Sequence, residues 1–128
     1  MGIRTIIFRG KRIDNGEWAE GYFFKIWDRA FLLWGMTGDS PNMEEVIPET
    51  VGQYTGLNDK NGKKIFEGDI MQLCSACYPC LVYWDGKGWA WKQNGKRREI
   101  DLTREKMDTI GNIHDNSELL EAEELMNE

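Results

Sequence analysis

Residues 51–70 read Val51-Gly-Gln-Tyr-Thr-Gly-Leu-Asn-Asp-Lys-Asn-Gly-Lys-Lys-Ile-Phe-Glu-Gly-Asp-Ile70. The segment 53–55 can be extended, and 58–62 is typical of a turn because Asn and Gly tolerate positive φ. Residues 64–66 resume an extended run, and the Glu67-Gly-Asp69 corner leads into 70–73, which carries apolar residues at alternate positions. The pattern predicts short strands joined by tight turns, and it indicates structure, not an active site.

Further strands are predicted on both sides of this run from β-branched and aromatic residues and from turn signals. On the N-terminal side, the predicted strands are 3–8, 17–27 and 31–34, with a hairpin turn at Asp14-Asn15-Gly16. Residues 37–42, Thr-Gly-Asp-Ser-Pro-Asn, predict a loop or a subdomain boundary. On the C-terminal side, the predicted strands are 81–84, 89–92, 97–102 and 109–114. Residues 116–126 begin with helix-capping residues and carry leucines on one helical face, which predicts one short helix.

The length and charge of the chain limit the functions that it can have. The 128 residues carry a net charge of -6, and residues 116–128 hold five acidic residues and no basic one. This acidic balance argues against general binding of a phosphate backbone, although a local basic patch remains compatible with it. The sequence shows no signal-like segment and no apolar run long enough to span a bilayer. We therefore expect a cytoplasmic protein that does not associate with a membrane.

Together with Phe8-Arg-Gly-Lys-Arg12 and Ile110-Gly-Asn-Ile-His-Asp-Asn116, the run at 51–70 resembles the YopX family of small phage and prophage proteins. The shared signature is Thr-Gly-Leu-x-Asp-x-Asn-Gly-x-x-Ile-aromatic-Glu-Gly-Asp-Ile. The resemblance implies an SH3-like β-barrel and no established reaction or catalytic residue. The expected fold is therefore mainly β: an N-terminal β subdomain at 1–50, an SH3-like barrel at 51–115 and a short acidic helix or tail at 116–128.

Three cysteines and the single histidine form a candidate metal site. Cys74, Cys77 and Cys80 are spaced Cys-x2-Cys-x2-Cys, and His114 could add an imidazole to complete a tetrahedral zinc site. Zinc ribbons usually present two separated cysteine pairs, and Pro79 stiffens this segment. The resemblance also disfavours a metal, because in YopX proteins this segment is variable and the histidine is matched by Tyr in many relatives. Ordinary reduced thiols are the preferred interpretation, and zinc is the alternative.

Aromatic and basic residues surround one predicted hairpin. Trp89 and Trp91 are two positions apart on a strand and share a face, so their rings could stack on bases or on a partner protein. The alternative is that these rings fill the core of a small barrel. Nearby basic residues, and a second basic group at Arg9-Lys11-Arg12, could bind single-stranded nucleic acid or could line a solvated strand edge. The candidate partner-binding residues are Trp84, Trp89, Trp91, Lys92, Arg97 and Arg98.

Motifs for catalysis are absent from the sequence. Glu67 and Asp69 flank a glycine corner and are more simply turn formers than an acid and base pair. A single histidine without a nucleophile supports no triad, and no glycine-rich phosphate loop precedes a helix. We therefore expect a non-enzymatic phage accessory protein that binds a protein or itself. Nucleic-acid binding through the aromatic and basic hairpin is the alternative, and an acidic DNA mimic is a weaker one because the negative charge is confined to one tail.

Overall fold

The computed structural model describes residues 6–75, 77–93, 96–99 and 107–120, and for 96–99 it describes the backbone only. These residues form two antiparallel sheets, a 3-10 turn at Pro48–Thr50 and a helical turn at 118–120. The predicted mainly β fold class is therefore confirmed. The chain divides into two compact units after Gly56. The boundary predicted after residue 50 precedes this point, because the next strand pairs with the first strand of the N-terminal sheet.

The N-terminal unit is built from antiparallel strands in the order β4-β3-β2-β1-β5. Their bounds are β1 Phe8–Lys11, β2 Trp18–Ile26, β3 Arg29–Thr37, β4 Ser40–Val46 and β5 Gly52–Asn58, with a 3-10 turn at Pro48–Thr50 before β5. The predicted hairpin turn at Asp14-Asn15-Gly16 joins β1 to β2, and Gly16 has a φ of 72°. The first strand was predicted at 3–8, but β1 begins at Phe8, and residues 1–5 lie outside the description.

The N-terminal sheet curls so that the ends of β1 and β4 meet. Arg12 forms a β-bridge with Val46, and the Ile47 N–H donates to the Lys11 carbonyl at 2.8 Å. Gly10 makes this approach possible, because a Cβ there would lie 3.0 Å from Cγ2 of Val46. The curled sheet encloses a small core of Ala30, Leu32 and Val46, against which Phe8, Ala19, Phe23 and Val51 pack.

Residues 37–42 form a tight hairpin, so the predicted loop or subdomain boundary is corrected. Thr37 pairs with Ser40, which leaves only Gly38 and Asp39 in the turn, and Gly38 has a φ of 62°. Pro41 lies on β4, the outermost strand in the sheet order, where a residue without an N–H is tolerated. Gly38 therefore forms part of a two-residue turn and Pro41 lies at a sheet edge. The chain stays within one unit across this segment.

The second unit carries an antiparallel sheet in the order β10-β9-β8-β7-β11. The strand bounds of this sheet are β7 Asp69–Gln72, β8 Cys80–Trp84, β9 Trp89–Gln93, β10 Lys96–Glu99 and β11 Asp108–Asn112. The short strand β6, Lys64–Phe66, is not part of this sheet and is the neighbour of β5. Its buried core consists of Ile65, Met71, Cys80, Val82, Trp91 and Met107. Five antiparallel strands fit the SH3-like class that the resemblance implied, and in the described part of the chain β10 and β11 stand at the open edges of the sheet.

Two aspartates of the 51–70 run hold turns through hydrogen bonds with backbone N–H groups. Oδ1 of buried Asp59 accepts from the N–H groups of Asn61 and Lys63, both at 2.9 Å, and Oδ2 accepts from Thr109 N–H at 3.3 Å. Burial raises the pKa of Asp59, but these hydrogen bonds outweigh it, and its pKa is lowered. Asp69, which is also buried, accepts from Phe66 N–H at 2.7 Å. This part of the run is structural.

The C-terminal helix prediction falls only partly on described residues. The Leu119 N–H donates to the Asn116 carbonyl at 3.0 Å, and the Leu120 N–H donates to the Ser117 carbonyl at 3.1 Å. These bonds form the helical turn at 118–120. Residues 121–128, which include most of the predicted acidic tail, lie outside the description.

Candidate protein-binding surface

The predicted aromatic hairpin is formed by β8 and β9, and its strand pleat places Trp91 in the core. Trp91 is 3% exposed and pairs with buried Val82 across the strands. Trp89 lies two residues earlier and packs partly against the same core. The two rings do share a face, as the alternation predicts, but it is the inner face of the sheet. The predicted role of Trp91 in partner binding is therefore corrected to a role in packing.

Trp84 and Trp89 form an edge-to-face pair at the end of this hairpin. Their ring centroids lie 5.0 Å apart with an interplanar angle of 72°. Trp84 is 49% exposed, whereas Trp89 is half-buried and its indole N–H has no acceptor among the described residues. Of the three predicted tryptophans, Trp84 is the one that reaches solvent most.

The predicted basic residues do not share a described surface with these rings. Lys92 follows Trp91 on β9, so its side chain lies on the opposite face, where its Nζ stands 4.8 Å from the Tyr83 ring centroid. By backbone register Arg97 pairs with Lys92 and Arg98 with Trp91. The side chains of Arg97 and Arg98 lie outside the described part of the structure. Trp91 and Lys92 therefore cannot form one stacking platform.

The second basic group is engaged within the N-terminal unit. The Arg9 guanidinium lies 4.7 Å from the Trp18 ring centroid, and Lys11 Nζ lies 5.6 Å from it. Arg12 forms ion pairs with Asp14 at 2.9 Å and Glu44 at 3.2 Å. Here the cations are matched by neighbouring aromatic rings and carboxylates, so this group is not a field of free positive charge.

The candidate zinc ligands are in three different settings. Cys74 and Cys77 are joined by a disulfide, so the expectation of reduced thiols is met only by Cys80, which is buried in the core. His114 lies exposed in the turn after β11. No group of three or more potential metal ligands occurs among the described residues. The zinc hypothesis stays a prediction that applies to the reduced protein, because disulfide sulfurs are not thiolates.

An exposed apolar row that the sequence analysis did not single out crosses the N-terminal sheet. Tyr22 of β2 pairs with Leu33 of β3, and Leu33 pairs in turn with Met43 of β4. Paired residues share a face, and this face is opposite to the one that carries buried Leu32 and its partner Phe23. Tyr22 is 65% exposed and Met43 is 47% exposed. The row therefore presents apolar side chains to solvent.

A second row lies next to the first on the same face. Phe24 and Phe31 are register partners, and their rings stack with centroids 5.3 Å apart. The Arg29 guanidinium lies 5.2 Å from the Phe31 ring centroid and pairs with Glu45 at 2.6 Å. We name the apolar residues of the two rows the β2–β4 face: Tyr22, Phe24, Phe31, Leu33 and Met43. An ion pair thus borders an aromatic surface, a composition typical of protein interfaces.

The family model for the YopX protein matches residues 8–121. The chain belongs to the YopX family. A solved structure similar to this YopX family member is that of protein EF1440 from Enterococcus faecalis, with 25% sequence identity and a TM-score of 0.57. The alignment covers 91% of this chain and 98% of the Enterococcus chain. A search of curated proteins finds no match.

In this YopX family member, the tip of the β2–β3 hairpin holds an exposed tryptophan in a strained conformation. Ile26 pairs with Arg29, so the turn consists of Trp27 and Asp28. Trp27 is 90% exposed and has a φ of 53°, a left-handed conformation that costs a non-glycine residue about 1–2 kcal/mol. Neither burial nor backbone preference accounts for a tryptophan at this position. Trp27 lies next to the β2–β4 face, and its strained backbone lowers stability. A residue kept there at this cost is a candidate for contact with a partner protein.

We predict that Trp27→Asn raises the free energy of unfolding by about 0.5–1 kcal/mol, because Asn adopts positive φ with less strain. Urea denaturation followed by circular dichroism measures this change. A matched control is Trp34→Asn, at an exposed strand position of the same unit, which should not stabilise the protein. A Trp27→Asn variant less stable than the native chain would show that the ring contributes to folding.

The signal for the β2–β4 face was present in the YopX family sequence. Strand β2 carries aromatic residues at both parities, with Tyr22 and Phe24 on one face and Phe23 on the other. A strand that is apolar on both faces either lies between two layers or exposes one apolar face. Alternation alone does not decide between these possibilities.

Within the described ranges, no helix has the length and apolar character to cross a membrane.

Proposed function

We propose that this YopX family chain is a non-enzymatic, phage-type accessory protein of the bacterial host cytoplasm that binds protein through its β2–β4 face. The partner we propose is a second copy of the chain. The observation that supports this proposal is the row of Tyr22, Leu33 and Met43, in which Tyr22 and Met43 are exposed. A partner that packs on this row would remove their apolar surface from water.

The charges around the face favour a second copy as the partner. Arg29 and Glu45 form an ion pair on the same strands, and Arg12 pairs with two carboxylates elsewhere in the unit. A surface that carries both signs side by side can face its own copy without net repulsion, as a two-fold symmetric interface requires. Binding to a phosphate backbone would instead need an unmatched positive field.

Side-chain contact fits this unit better than pairing of strand edges. β4 is the outermost strand in the sheet order, but Pro41 removes a backbone donor near its start. Near its other end, the Glu45 carbonyl already accepts from the Ile13 N–H at 3.1 Å. Both ends of β4 are therefore poor templates for an added strand, and we assign association to the face.

Nucleic-acid binding by strands β8, β9 and β10 is the alternative function. Its support is limited to the exposed side chains of Trp84 and Lys92, because Trp91 is in the core and Lys92 lies on the opposite face from it. Binding of this kind would weaken steeply with added salt. A fluorescence titration with single-stranded DNA at low and high salt distinguishes it from protein binding.

The test of the proposal is the double variant Tyr22→Thr/Met43→Thr. Threonine keeps a high β-propensity while it removes the exposed apolar surface. We expect the dimer dissociation constant to rise at least about 10-fold, which corresponds to about 1.4 kcal/mol, with an unchanged circular dichroism spectrum. Sedimentation equilibrium over a dilution series measures the constant.

The matched control is Trp84→Thr, which removes an exposed aromatic ring from the second unit. We expect the dimer dissociation constant of this variant to equal that of the native chain. If Trp84→Thr dissociates the dimer and the double variant does not, association uses the β8–β9 hairpin and the assignment to the β2–β4 face is wrong.

A further inference from the structure

The connection between β7 and β8 contains a solvent-accessible disulfide that closes a very short ring. Cys74 and Cys77 are bonded, with their Cα atoms 5.2 Å apart, and the Cys77 N–H donates to the Cys74 carbonyl at 3.0 Å. Cys74 is exposed and Cys77 is half-buried. The third cysteine, Cys80, follows three residues later as the first residue of β8 and is 1% exposed. The pair and the third thiol therefore differ sharply in access to solvent.

We propose that Cys74 and Cys77 form a reversible thiol–disulfide exchange site for low-molecular-weight thiols, and that Cys80 takes no part in the exchange. A ring closed by two intervening residues removes little entropy from the unfolded chain, so this bond contributes far less to stability than a bond that closes a long loop. A disulfide that is accessible and not needed for folding can be opened and closed in the native protein.

Contacts on both sides of the disulfide hold the connection independently of it. β7 and β8 pair through Ile70 with Leu81 and Met71 with Cys80. The Gln72 side-chain amide donates to the Cys77 carbonyl at 2.7 Å, and the Gln93 side-chain amide donates to the Tyr78 carbonyl at 3.1 Å. These bonds keep the two cysteines close together after reduction, which allows the disulfide to form again.

The exchange is balanced by two molecules of the small thiol. A thiolate attacks Sγ of Cys74, the Cys74–Cys77 bond breaks, and the Cys77 sulfur leaves as a thiolate that takes up a proton. A second small thiolate attacks the small-molecule sulfur of the mixed disulfide. This step releases a small-molecule disulfide and Cys74 as a thiolate, which takes up a proton. The protein gains two electrons and two protons, and the two small thiols are oxidised. The reverse sequence, begun by the small-molecule disulfide, restores the bond.

Two exposed apolar side chains flank the disulfide. Leu73 precedes Cys74 and Tyr78 follows Cys77, and both side chains are exposed. When the pair is reduced, this connection loses its covalent restraint while the strands on either side remain paired.

The experiment equilibrates the full chain in buffers of varied reduced-to-oxidised glutathione ratio, quenches with acid, alkylates free thiols and locates them by peptide mass. We expect Cys74 and Cys77 to pass from protected to alkylated together, with Cys80 modified only in denaturant and the circular dichroism spectrum unchanged. Cys80→Ala should leave the transition in place. Cys77→Ser should leave Cys74 carrying one glutathione in oxidising buffer.

Three results would overturn the proposal. The first is alkylation of Cys74 and Cys77 even in the most oxidising buffer, which would show that the pair does not close. The second is a Cys80 reactivity equal to that of the other two thiols in the native protein. The third is loss of the circular dichroism spectrum on reduction, which would make the bond a structural staple.

Discussion

Trp91→Ala is expected to lower the free energy of unfolding by about 3–5 kcal/mol, the range for deleting a large buried aromatic side chain. Trp91 is 3% exposed and packs with Val82, Met71 and Ile65 in the core of the second unit. Removal of the indole leaves a cavity that these neighbours only partly fill. Urea denaturation monitored by circular dichroism measures the loss, and a variant that is unfolded without urea is an equally clear outcome.

The control for Trp91 is the same change at Trp84, which is 49% exposed on the neighbouring strand. Trp84→Ala should cost about 1 kcal/mol or less, because it loses one edge-to-face ring contact and little buried area. Equal costs for the two variants would contradict the assignment of Trp91 to the core and Trp84 to the surface.

Asp59→Ala is expected to lower the free energy of unfolding by about 3 kcal/mol at neutral pH. The carboxylate accepts hydrogen bonds from three backbone N–H groups, those of Asn61, Lys63 and Thr109. Hydrogen bonds to a charged group contribute about 1.5–3 kcal/mol each, and those that share one carboxylate are not additive. Asp59→Asn keeps the Oδ1 acceptor and should lose less than half as much.

The same carboxylate makes stability depend on pH in a defined direction. The pKa of Asp59 is lowered in the folded chain, so its contribution is fully present above the ordinary aspartate pKa of about 3.9 and is lost as pH falls through the lower, folded value. The difference in stability between the native and Asp59→Ala proteins should therefore become smaller under acid conditions, because the contribution of the ionised carboxylate is lost there. A difference between them that stays constant down to the lowest pH at which both fold would contradict this mechanism.

Local chemistry was enough to predict the turns of the 51–70 run. Asp59 and Asn61 precede Gly62, which has a φ of 83°, and Gly68, which has a φ of 91°, forms the corner before β7. These conformations are decided by residues within a few positions of one another, so the sequence carries them directly. The range matched by the family model, residues 8–121, includes this run.

The side of a strand that becomes the core could not be predicted in the same way. Alternation correctly placed Trp89 and Trp91 on one face, but the choice between core and solvent depends on what packs against that face. Strand β2 shows the same limit, because Phe23 is in the core while Tyr22 and Phe24 are on the β2–β4 face. Where both parities are apolar, only the tertiary structure identifies the exposed row.

Curling of the N-terminal sheet was also beyond the sequence analysis. Gly10 and Val46 approach each other closely although they are 36 residues apart in the chain. No local pattern predicts such a contact. The sequence predicts a strand-rich subdomain there, and the candidate binding residues that it predicts lie in the second unit. The tight hairpin at Gly38 places β4 beside β3, and the face extends to β4 because exposed Met43 pairs with Leu33.

We propose that the chain binds protein and that its partner is a second copy of itself. Light scattering across a concentration series, at low and high salt, measures the solution mass, while the ratio of absorbance at 260 and 280 nm detects bound nucleic acid. We expect about twice the 14.9 kDa chain mass, retained at high salt because the interface is apolar, with no nucleic acid. A monomer at every concentration, or a monomer that carries nucleic acid released by salt, would contradict the account.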